Sequence, residues 1–198
     1  VLIGRRAPDA AAAQEIAALA ATGVNLRIEH CDVADFGALK RLLQAIEPAL
    51  PPLRGVLHAA GVFRDGLIRN LDRPQIEDVL VPKVLGALNL DRLTQGLPLD
   101  FFVLYSAATT TFGNAGQANY IAANTFMEVL TEARRARGQP ALCIGWGPIA
   151  DTGYLARNVA IRDQVAARMG DSALDAAQAL EALEQLLAGD ISGAAVLK

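Results

Sequence analysis

The sequence predicts an α/β fold of three layers, in which a doubly wound parallel sheet carries helices on both faces. Short apolar runs alternate along the chain with longer stretches of helical periodicity, and this alternation gives parallel strands joined by right-handed crossovers. The chain has 198 residues, of which 53% are hydrophobic and 20% charged. That is enough for one domain with a sizeable core, and too apolar for a disordered chain.

Six apolar runs are predicted to form strands. They are Val1–Gly4, Val24–His30, Leu53–Ala60, Asp100–Ser106, Ala141–Trp146 and Ala194–Leu197. Five stretches are predicted to form helices. They lie near Ala10–Ala21, Phe36–Ala49, Pro74–Leu93, Asn119–Arg137 and Ala173–Leu187. Ser172 and Asp175 resemble an N-cap pair, and Gly147–Gly170, rich in small and polar residues, is predicted to be a mobile lid over a site.

Composition and charge exclude several classes of function. The net charge is −3, which argues against a surface for nucleic acid or for an anionic membrane. No apolar run approaches the roughly 18–20 residues that span a bilayer. The chain has two histidines and two cysteines, so a His/Cys metal cluster is not expected. Cys31 and Cys143 lie in or beside predicted strands and are expected to be buried free thiols, which favours a reducing cytoplasm.

A serine, a tyrosine and an asparagine at fixed offsets form the most informative pattern. Ser106 ends a strongly apolar strand, Tyr120 opens a helix fourteen residues later, and Asn124 follows one turn on, on the same helical face. A hydroxyl at a strand end, facing a tyrosine and an amide, can hold a carbonyl and protonate it. Taken singly, each residue is better explained by packing or a local turn. Taken jointly, their spacing favours a catalytic site.

Lys83 and His58, on neighbouring predicted elements, are two further residues of interest. Lys83 lies between apolar residues in a predicted helix that also contains Pro82, which is costly inside a helix unless it starts or kinks one. A lysine on a half-buried face beside a tyrosine would favour the phenolate, although a solvated lysine is the commoner case. His58 ends the third strand and is interpreted as a packing histidine, because no second ligand-type residue accompanies it.

Two arginines follow the first strand. In a dinucleotide-binding fold, an acidic residue at the end of the second strand favours NAD and a basic residue favours NADP. Here Arg5 and Arg6 occupy that turn, and guanidinium groups can bind a 2′-phosphate. The alternative is a solvated basic pair at a strand end.

The next two strand ends also carry candidate cofactor contacts. Asp32 and Val33 follow the second strand, where Asp32 could accept a hydrogen bond from an adenine amino group. Equally, Asp32 or Asp35 could cap the following helix. Small residues after the third strand would admit either a flat ligand or a closely packed helix. They are Ala59, Ala60 and Gly61.

Four short segments are distinctive in their residue order. They are Gly-Val-Leu-His-Ala-Ala-Gly-Val (55–62), Val-Pro-Lys-Val-x-Gly-Ala (81–87), Leu-Tyr-Ser-Ala (104–107) and Gly-Gln-Ala-Asn-Tyr-Ile-Ala-Ala-Asn (116–124). They resemble the ketoreductase domains of modular polyketide synthases, in the short-chain dehydrogenase/reductase superfamily, and the resemblance covers the whole chain. Most superfamily members carry lysine four residues after the tyrosine. Here Asn124 takes that place and Lys83 lies upstream, an exchange characteristic of polyketide and animal-type fatty-acid synthase ketoreductases.

The resemblance implies a Rossmann-like fold and the NADPH-dependent reduction of a β-ketoacyl thioester, carried on an acyl carrier protein, to the β-hydroxyacyl thioester. Tyr120 would donate the proton to the ketone oxygen, and Ser106 would hydrogen-bond that oxygen. Lys83 would lower the tyrosine pKa and contact the nicotinamide ribose. Asn124 would order the helix and a water-linked proton path. The implied cofactor-binding residues are Arg5, Arg6, Asp32, Val33, Ala59, Ala60, Gly61, Lys83 and Tyr120.

The resemblance also bears on the configuration of the product. Many members that make the D-hydroxyl carry Leu-Asp-Asp after Ala-Ala-Gly, and in this chain only Asp65 of that motif is present. Members of the opposite type often carry tryptophan eight residues before the tyrosine, where this chain has Phe112. A D-configured product is therefore expected. Gly147 and Pro148, which follow the strand ending at Trp146, are included among the substrate-side residues.

No Gly-rich phosphate loop precedes Val1. The chain is therefore expected to be a fragment, 1–198, of one catalytic domain in a larger synthase with neighbouring domains, lacking its first strand and that loop. Weak NADPH binding is expected from the chain alone. There are two alternatives: a noncatalytic structural fragment, disfavoured by the retained tyrosine and serine, and a free-standing short-chain reductase, disfavoured by the exchange of lysine and asparagine.

Overall fold

The structure of the chain, a computed structural model, describes residues 1–160, 163 and 173–198, which form two compact units. Residues 1–52 make the first unit and residues 53–198 the second. The predicted cap residue Ser172 and part of the predicted lid lie outside the described residues.

The first unit is a strand–helix–strand–helix segment. Its elements are β1 (Leu2–Gly4), α1 (Ala10–Ala21), β2 (Ile28–His30) and α2 (Phe36–Ile46). The two strands pair in parallel. Each helix begins after an aspartate whose side chain accepts a backbone N–H, Asp9 from Ala12 and Asp35 from Ala38. Helical geometry leaves these N–H groups without a backbone partner, so the capping interpretation of Asp35 is confirmed.

The second unit contains a four-stranded parallel sheet. Its strands are β3 (Gly55–His58), β4 (Phe101–Ala107), β5 (Leu142–Trp146) and β6 (Gly193–Val196). They are hydrogen-bonded in the order β3-β4-β5-β6, and each neighbouring pair runs parallel. The predicted class, an α/β fold with a parallel sheet flanked by helices, is confirmed.

Helices and turns connect these strands. They are a 3₁₀ turn (Ile68–Asn70), α3 (Arg73–Leu80), a π-turn (Val81–Leu85), α4 (Gly86–Thr94), α5 (Thr109–Phe112), α6 (Ala118–Ala136), α7 (Gly153–Arg157) and α8 (Ala176–Ala188). The single helix predicted for Pro74–Leu93 is divided by the π-turn. Pro82 has no N–H to donate and its ring crowds the preceding turn, so the regular i→i−4 ladder cannot continue there.

Side chains alternate between the two faces of β4, and both faces are covered. Val103 lies in a cluster with Ile144 of β5 and Leu183 of α8. On the other face, the ring of Phe102 lies beneath the guanidinium of Arg134 of α6, 4.2 Å from the ring centroid. Because packed side chains cover both of its faces and strands pair with both of its edges, β4 is a buried central strand.

Candidate active site

The π-turn directs a lysine into the protein interior. The Lys83 side chain is buried, with the residue 3% exposed, and its ammonium Nζ donates a hydrogen bond to the backbone oxygen of Tyr105 at 2.9 Å. Burial disfavours the charged form and lowers the pKa of Lys83 from 10.5 to about 8. A buried ammonium is therefore held at the carboxyl end of β4.

Tyr120 lies in the first turn of α6, against this lysine. The Lys83 ammonium is 5.2 Å from the centroid of the Tyr120 ring, within the range of a cation–π contact. The ring of Phe63 also packs against the Tyr120 ring, with ring centroids 4.7 Å apart. The phenol ring thus contacts both a cation and an aromatic ring.

The pKa of Tyr120 is raised in this structure. Burial is the largest cause, a side-chain hydrogen bond with Asn124 acts in the opposite direction, and the charge of Asp65 raises the pKa further. The resemblance implied that Lys83 would lower this pKa, and the net shift runs the other way. The physical reason is that the ammonium faces the ring, while loss of hydration penalises the phenolate.

Asn124 is buried one turn further along α6. It is 0% exposed, and its Nδ2 donates to the backbone oxygen of Tyr120 at 2.9 Å. Its Oδ1 is buried and has no hydrogen-bond partner among the described residues. Leaving a buried amide oxygen without a hydrogen bond costs free energy. A water or a ligand that donates a hydrogen bond would therefore be stabilised at this atom.

The Ser106 hydroxyl contacts residues other than Lys83, Tyr120 and Asn124. Its hydroxyl donates to Oε1 of Glu128 at 2.9 Å, and it contacts the thiol of Cys143, whose pKa burial raises to about 12. Glu128 lies two turns beyond Tyr120, about 12 Å along the helix axis at 1.5 Å per residue. Lys83, Tyr120 and Asn124 are brought together, whereas the Ser106 hydroxyl is directed beneath α6. Its assigned role stays a prediction.

His58 lies against the lysine as well as in the core. It is 3% exposed, and its imidazole hydrogen-bonds with the backbone of Lys83 and Pro82. Burial and then the charge of Lys83 lower the pKa of His58 to about 4, so the ring is neutral at pH 7. Sequence reasoning treated this histidine as packing alone and missed its contact with the π-turn, because a strand end and a distant helix give no shared spacing.

The loop after β3 is fixed to the start of α6. Asp65 accepts a hydrogen bond from Nε2 of Gln117 at 2.9 Å, and the N–H of Gly66 donates to the oxygen of Gly116 at 2.8 Å. Phe112 lies on the same β4–α6 connection and is 68% exposed. Asp65 therefore has a defined position near Tyr120, and Phe112 is open to solvent.

The predicted small residues fall into two groups. At Gly61 an added Cβ would lie 3.3 Å from Cε of Lys83, so this glycine leaves room for the buried lysine. At Gly147 an added Cβ would lie 3.0 Å from the oxygen of Val196, so this glycine permits packing on β6. The Pro148 oxygen accepts from the N–H of Leu174. Ala59 and Ala60 lie between β3 and Gly61.

The remaining predicted cofactor residues belong to the first unit. Arg5 and Arg6 are exposed immediately after β1. Asp32 uses Oδ1 to accept from the N–H of Ala34 at 2.9 Å, which closes a local turn beside Val33. The arginine pair presents two cations that suit a phosphate, whereas one oxygen of the Asp32 carboxylate is already hydrogen-bonded within this turn.

Neither a cluster of metal ligands nor a membrane-spanning helix is found among the described residues. No group of three or more metal-ligating side chains is placed to hold an ion within the described ranges. In those same ranges, no helix has the length and hydropathy to cross a bilayer.

Comparison with known proteins agrees with this geometry. Residues 1–151 match the family model described as KR domain. The chain is 39% identical over 190 residues to a phenolphthiocerol synthesis polyketide synthase of Mycobacterium marinum, with 95% of the chain and 9% of the relative covered. It is 39% identical over 188 residues to erythronolide synthase EryA2 of Saccharopolyspora erythraea, with 94% and 5% covered. The chain thus spans less than a tenth of either relative.

Solved structures give the same family. A structure of an A1-type ketoreductase superposes with a TM-score of 0.91 at 36% identity, covering 99% of the chain and 41% of that protein. A structure of A-type ketoreductases from a modular polyketide synthase gives 0.87 at 35% identity, covering 99% and 40%. The chain therefore belongs to the KR domain family, the ketoreductase domains of polyketide synthases.

Proposed function

We propose that this chain carries the proton-donating half of a β-ketoacyl reductase site, which reduces a β-ketoacyl thioester on an acyl carrier protein to the β-hydroxyacyl thioester. One observation carries the proposal. A buried ammonium, a phenol and an amide converge at the carboxyl edge of a parallel sheet, on Lys83, Tyr120 and Asn124. In open parallel sheets this edge is where ligands bind.

Tyr120 donates the proton that completes the alcohol. Reduction adds a hydride to the carbonyl carbon and a proton to its oxygen, so the donor must be protonated before the step. A pKa raised by burial keeps the phenol protonated at neutral pH. As the phenol O–H bond breaks and the new O–H bond forms, negative charge remains on the Tyr120 oxygen.

Lys83 offsets that charge. With a pKa of about 8 it is mostly cationic at pH 7, and an ammonium beside the phenol stabilises the phenolate electrostatically. Asn124 contributes a hydrogen bond to the phenol, and its free Oδ1 is available for a water that returns the proton. The three residues act together, because Tyr120 and Asn124 lie on α6 and Lys83 is hydrogen-bonded to the adjacent end of β4.

The reductant is proposed to be NADPH, which supplies the hydride when bound. The residues that would hold it are Arg5, Arg6, Asp32, Val33, Ala59, Ala60, Gly61, Lys83 and Tyr120. Adjacent exposed arginines after β1 suit a 2′-phosphate, and the missing side chain at Gly61 leaves room for the Lys83 side chain to lie against that loop. A buried acceptor without a partner, Oδ1 of Asn124, is a further sign that the site is completed by a bound group.

The substrate side is proposed to favour the D-configured product. Asp65 is held by Gln117 and acts electrostatically on Tyr120, so it can bias which face of the ketone meets the phenol. Phe112, Gly147 and Pro148 are the other proposed substrate-side residues. The proposed partners are the acyl carrier protein and neighbouring synthase domains. A cytoplasmic location is proposed because the cysteines Cys31 and Cys143 are free and buried.

Replacing Tyr120 with Phe tests the proton donor. In a protein that joins this chain to its upstream residues, the variant is expected to lose at least about a hundredfold in kcat, the lower range for a general acid. NADPH oxidation with a model β-keto thioester is the measurement. Tyr105→Phe, which changes a tyrosine on β4, is the control. Full activity of the Tyr120 variant would remove the assignment and favour a structural fragment.

Replacing Ser106 with Ala separates two roles. If the hydroxyl only satisfies Glu128, the variant keeps kcat within a few-fold and loses about 1 kcal/mol of unfolding free energy, the net value of one hydrogen bond. If the hydroxyl binds the ketone, kcat falls about a hundredfold or more, as for a lost oxyanion donor. The geometry predicts the first result. Urea unfolding and steady-state rates on one preparation decide between them.

Replacing Lys83 with Met tests the buried charge without a cofactor. Between pH 8 and pH 10.5 the unfolded chain binds the lysine proton and the folded chain does not, because the folded pKa is about 8. The stability of the native protein therefore rises with pH across this window, relative to the Met variant. The expected relative change is on the order of 3 kcal/mol. If the difference in urea unfolding free energy between the native protein and the Met variant were the same at every pH in this window, the lowered pKa of Lys83 would be contradicted.

Product configuration is a separate expectation. Reduction of a model β-keto thioester is expected to give the D-hydroxyl in excess, and chiral chromatography of the product measures this. Asp65→Ala is expected to reduce that excess, because it removes the charge held beside Tyr120. An L-product from the unaltered protein would overturn the stereochemical proposal and leave the proton-donor proposal intact.

A further inference from the structure

We infer that the buried ion pair between Arg134 and Asp91 is a positioning device, which sets the register of α4 against α6 and so the distance between Lys83 and Tyr120. Its importance for the reaction rests on the proposed function. The register itself is a property of this chain and is tested without substrate.

The pair is deeply enclosed. The side chains of Arg134 and Asp91 are 1% and 5% exposed, and Nη1 lies 2.7 Å from Oδ1. Arg137 adds a second contact to the same carboxylate oxygen at 2.7 Å. The guanidinium of Arg134 also donates through Nε to the oxygen of Pro140 at 3.1 Å and stacks over Phe102. Arg134 therefore ties α6 to α4, to β4 and to the turn before β5.

The pair lies on the same two helical runs as the site residues, toward the C-terminal end of each. Asp91 comes eight residues after Lys83, about 12 Å along the helical run, and Arg134 comes fourteen residues after Tyr120, about 21 Å along α6. The Arg134 side chain leans toward the helix N-terminus and so reaches back along α6 toward Asp91. α3, the π-turn and α4 all pack on α6, and the ion pair adds a polar contact at the C-terminal part of α6.

A polar contact between α4 and α6 favours one axial register over its neighbours, and the site has little tolerance for error. The Lys83–Tyr105 hydrogen bond is 2.9 Å long, and such bonds are lost beyond about 3.5 Å. A slide of one residue moves a helix by about 1.5 Å. That slide would break this bond and move the ammonium off the Tyr120 ring.

An apolar contact would hold the helices together without choosing a register. Buried ion pairs add little stability over well-packed hydrophobic residues of similar volume, and their best-attested use is to specify register. The carboxylate of Asp91 receives one guanidinium group from Arg134 in the last turn of α6 and a second from Arg137, the C-cap residue of that helix. An axial slide of the helices would displace both contacts.

The test replaces both partners together, Asp91→Leu with Arg134→Met, so that no lone charge is buried. The exposed pair Arg54 and Asp100, whose side chains are 55% and 54% exposed, receives the same replacements as the control. The readout is the NMR titration of the tyrosine ring carbons labelled with ¹³C. The chain has three tyrosines, and Tyr120→Phe assigns the relevant signal.

The double variant is expected to raise the pKa of Tyr120 by about half a unit or more, because a displaced ammonium stabilises the phenolate less. The control should leave that pKa unchanged. A folded double variant with an unchanged Tyr120 titration would overturn the inference. If the double variant does not fold, Asp91→Glu, which lengthens the contact by one methylene and keeps the charge, must shift the titration in the same way, and an unshifted Asp91→Glu would equally overturn it.

The same variants separate this inference from the proposed function. In the protein joined to its upstream residues, the double variant is expected to lower kcat about tenfold with little change in KM, as for misplacement of a positioned group. If Tyr120→Phe is fully active while the titration still shifts, the register inference stands and the proposed reaction fails. If Tyr120→Phe is inactive and the titration does not shift, the reverse holds.

Discussion

The site depends on keeping one ammonium out of water beside one phenol. Burying a lysine is costly, and the cost appears directly in its pKa of about 8. The fold offsets it with the Tyr105 carbonyl and with the ring face of Tyr120. Both partners come from the carboxyl end of β4 and the start of α6, while the lysine comes from the π-turn. The proline in that turn therefore shapes the chemistry, since it breaks the helix at the point where the lysine must turn inward.

Burial shifts the pKa values of the two groups in opposite directions. It raises the pKa of the Tyr120 phenol and lowers the pKa of the Lys83 ammonium, so each neutral form is favoured. The phenol is thereby loaded with its proton at neutral pH, and the lysine stays charged in the same range. In the proposed reaction, the phenolate would form next to a cation that already exists, without a large movement of charge or of side chains.

Much of this could be predicted from the sequence, because period and spacing are local signals. Alternating apolar runs predicted the parallel strands, and the offset from Tyr120 to Asn124 predicted one helical face. The helix from Pro74 to Leu93 was predicted as a single helix, although Pro82 within it marks a place where the regular hydrogen-bond ladder cannot continue. Apolar spacing alone does not tell whether a proline kinks a helix or is accommodated by a π-turn. The contact of His58 with that turn is likewise a tertiary event with no local signal.

The face of Ser106 was beyond prediction for a different physical reason. A strand covered on one side alternates apolar and polar residues, and the alternation tells which side chains point inward. β4 is buried on both sides, and its run Phe101–Tyr105 is apolar at every position, so parity carries no information in the sequence. Alternation along a strand places Ser106 on the same face as Phe102 and Leu104, and only the packing shows that this face lies beneath α6, where Glu128 accepts a hydrogen bond from its hydroxyl. Because Tyr120 belongs to the same helix, the hydroxyl lies on the side of the sheet that carries the phenol, and the structure shows it bonded to a carboxylate two turns further along that helix.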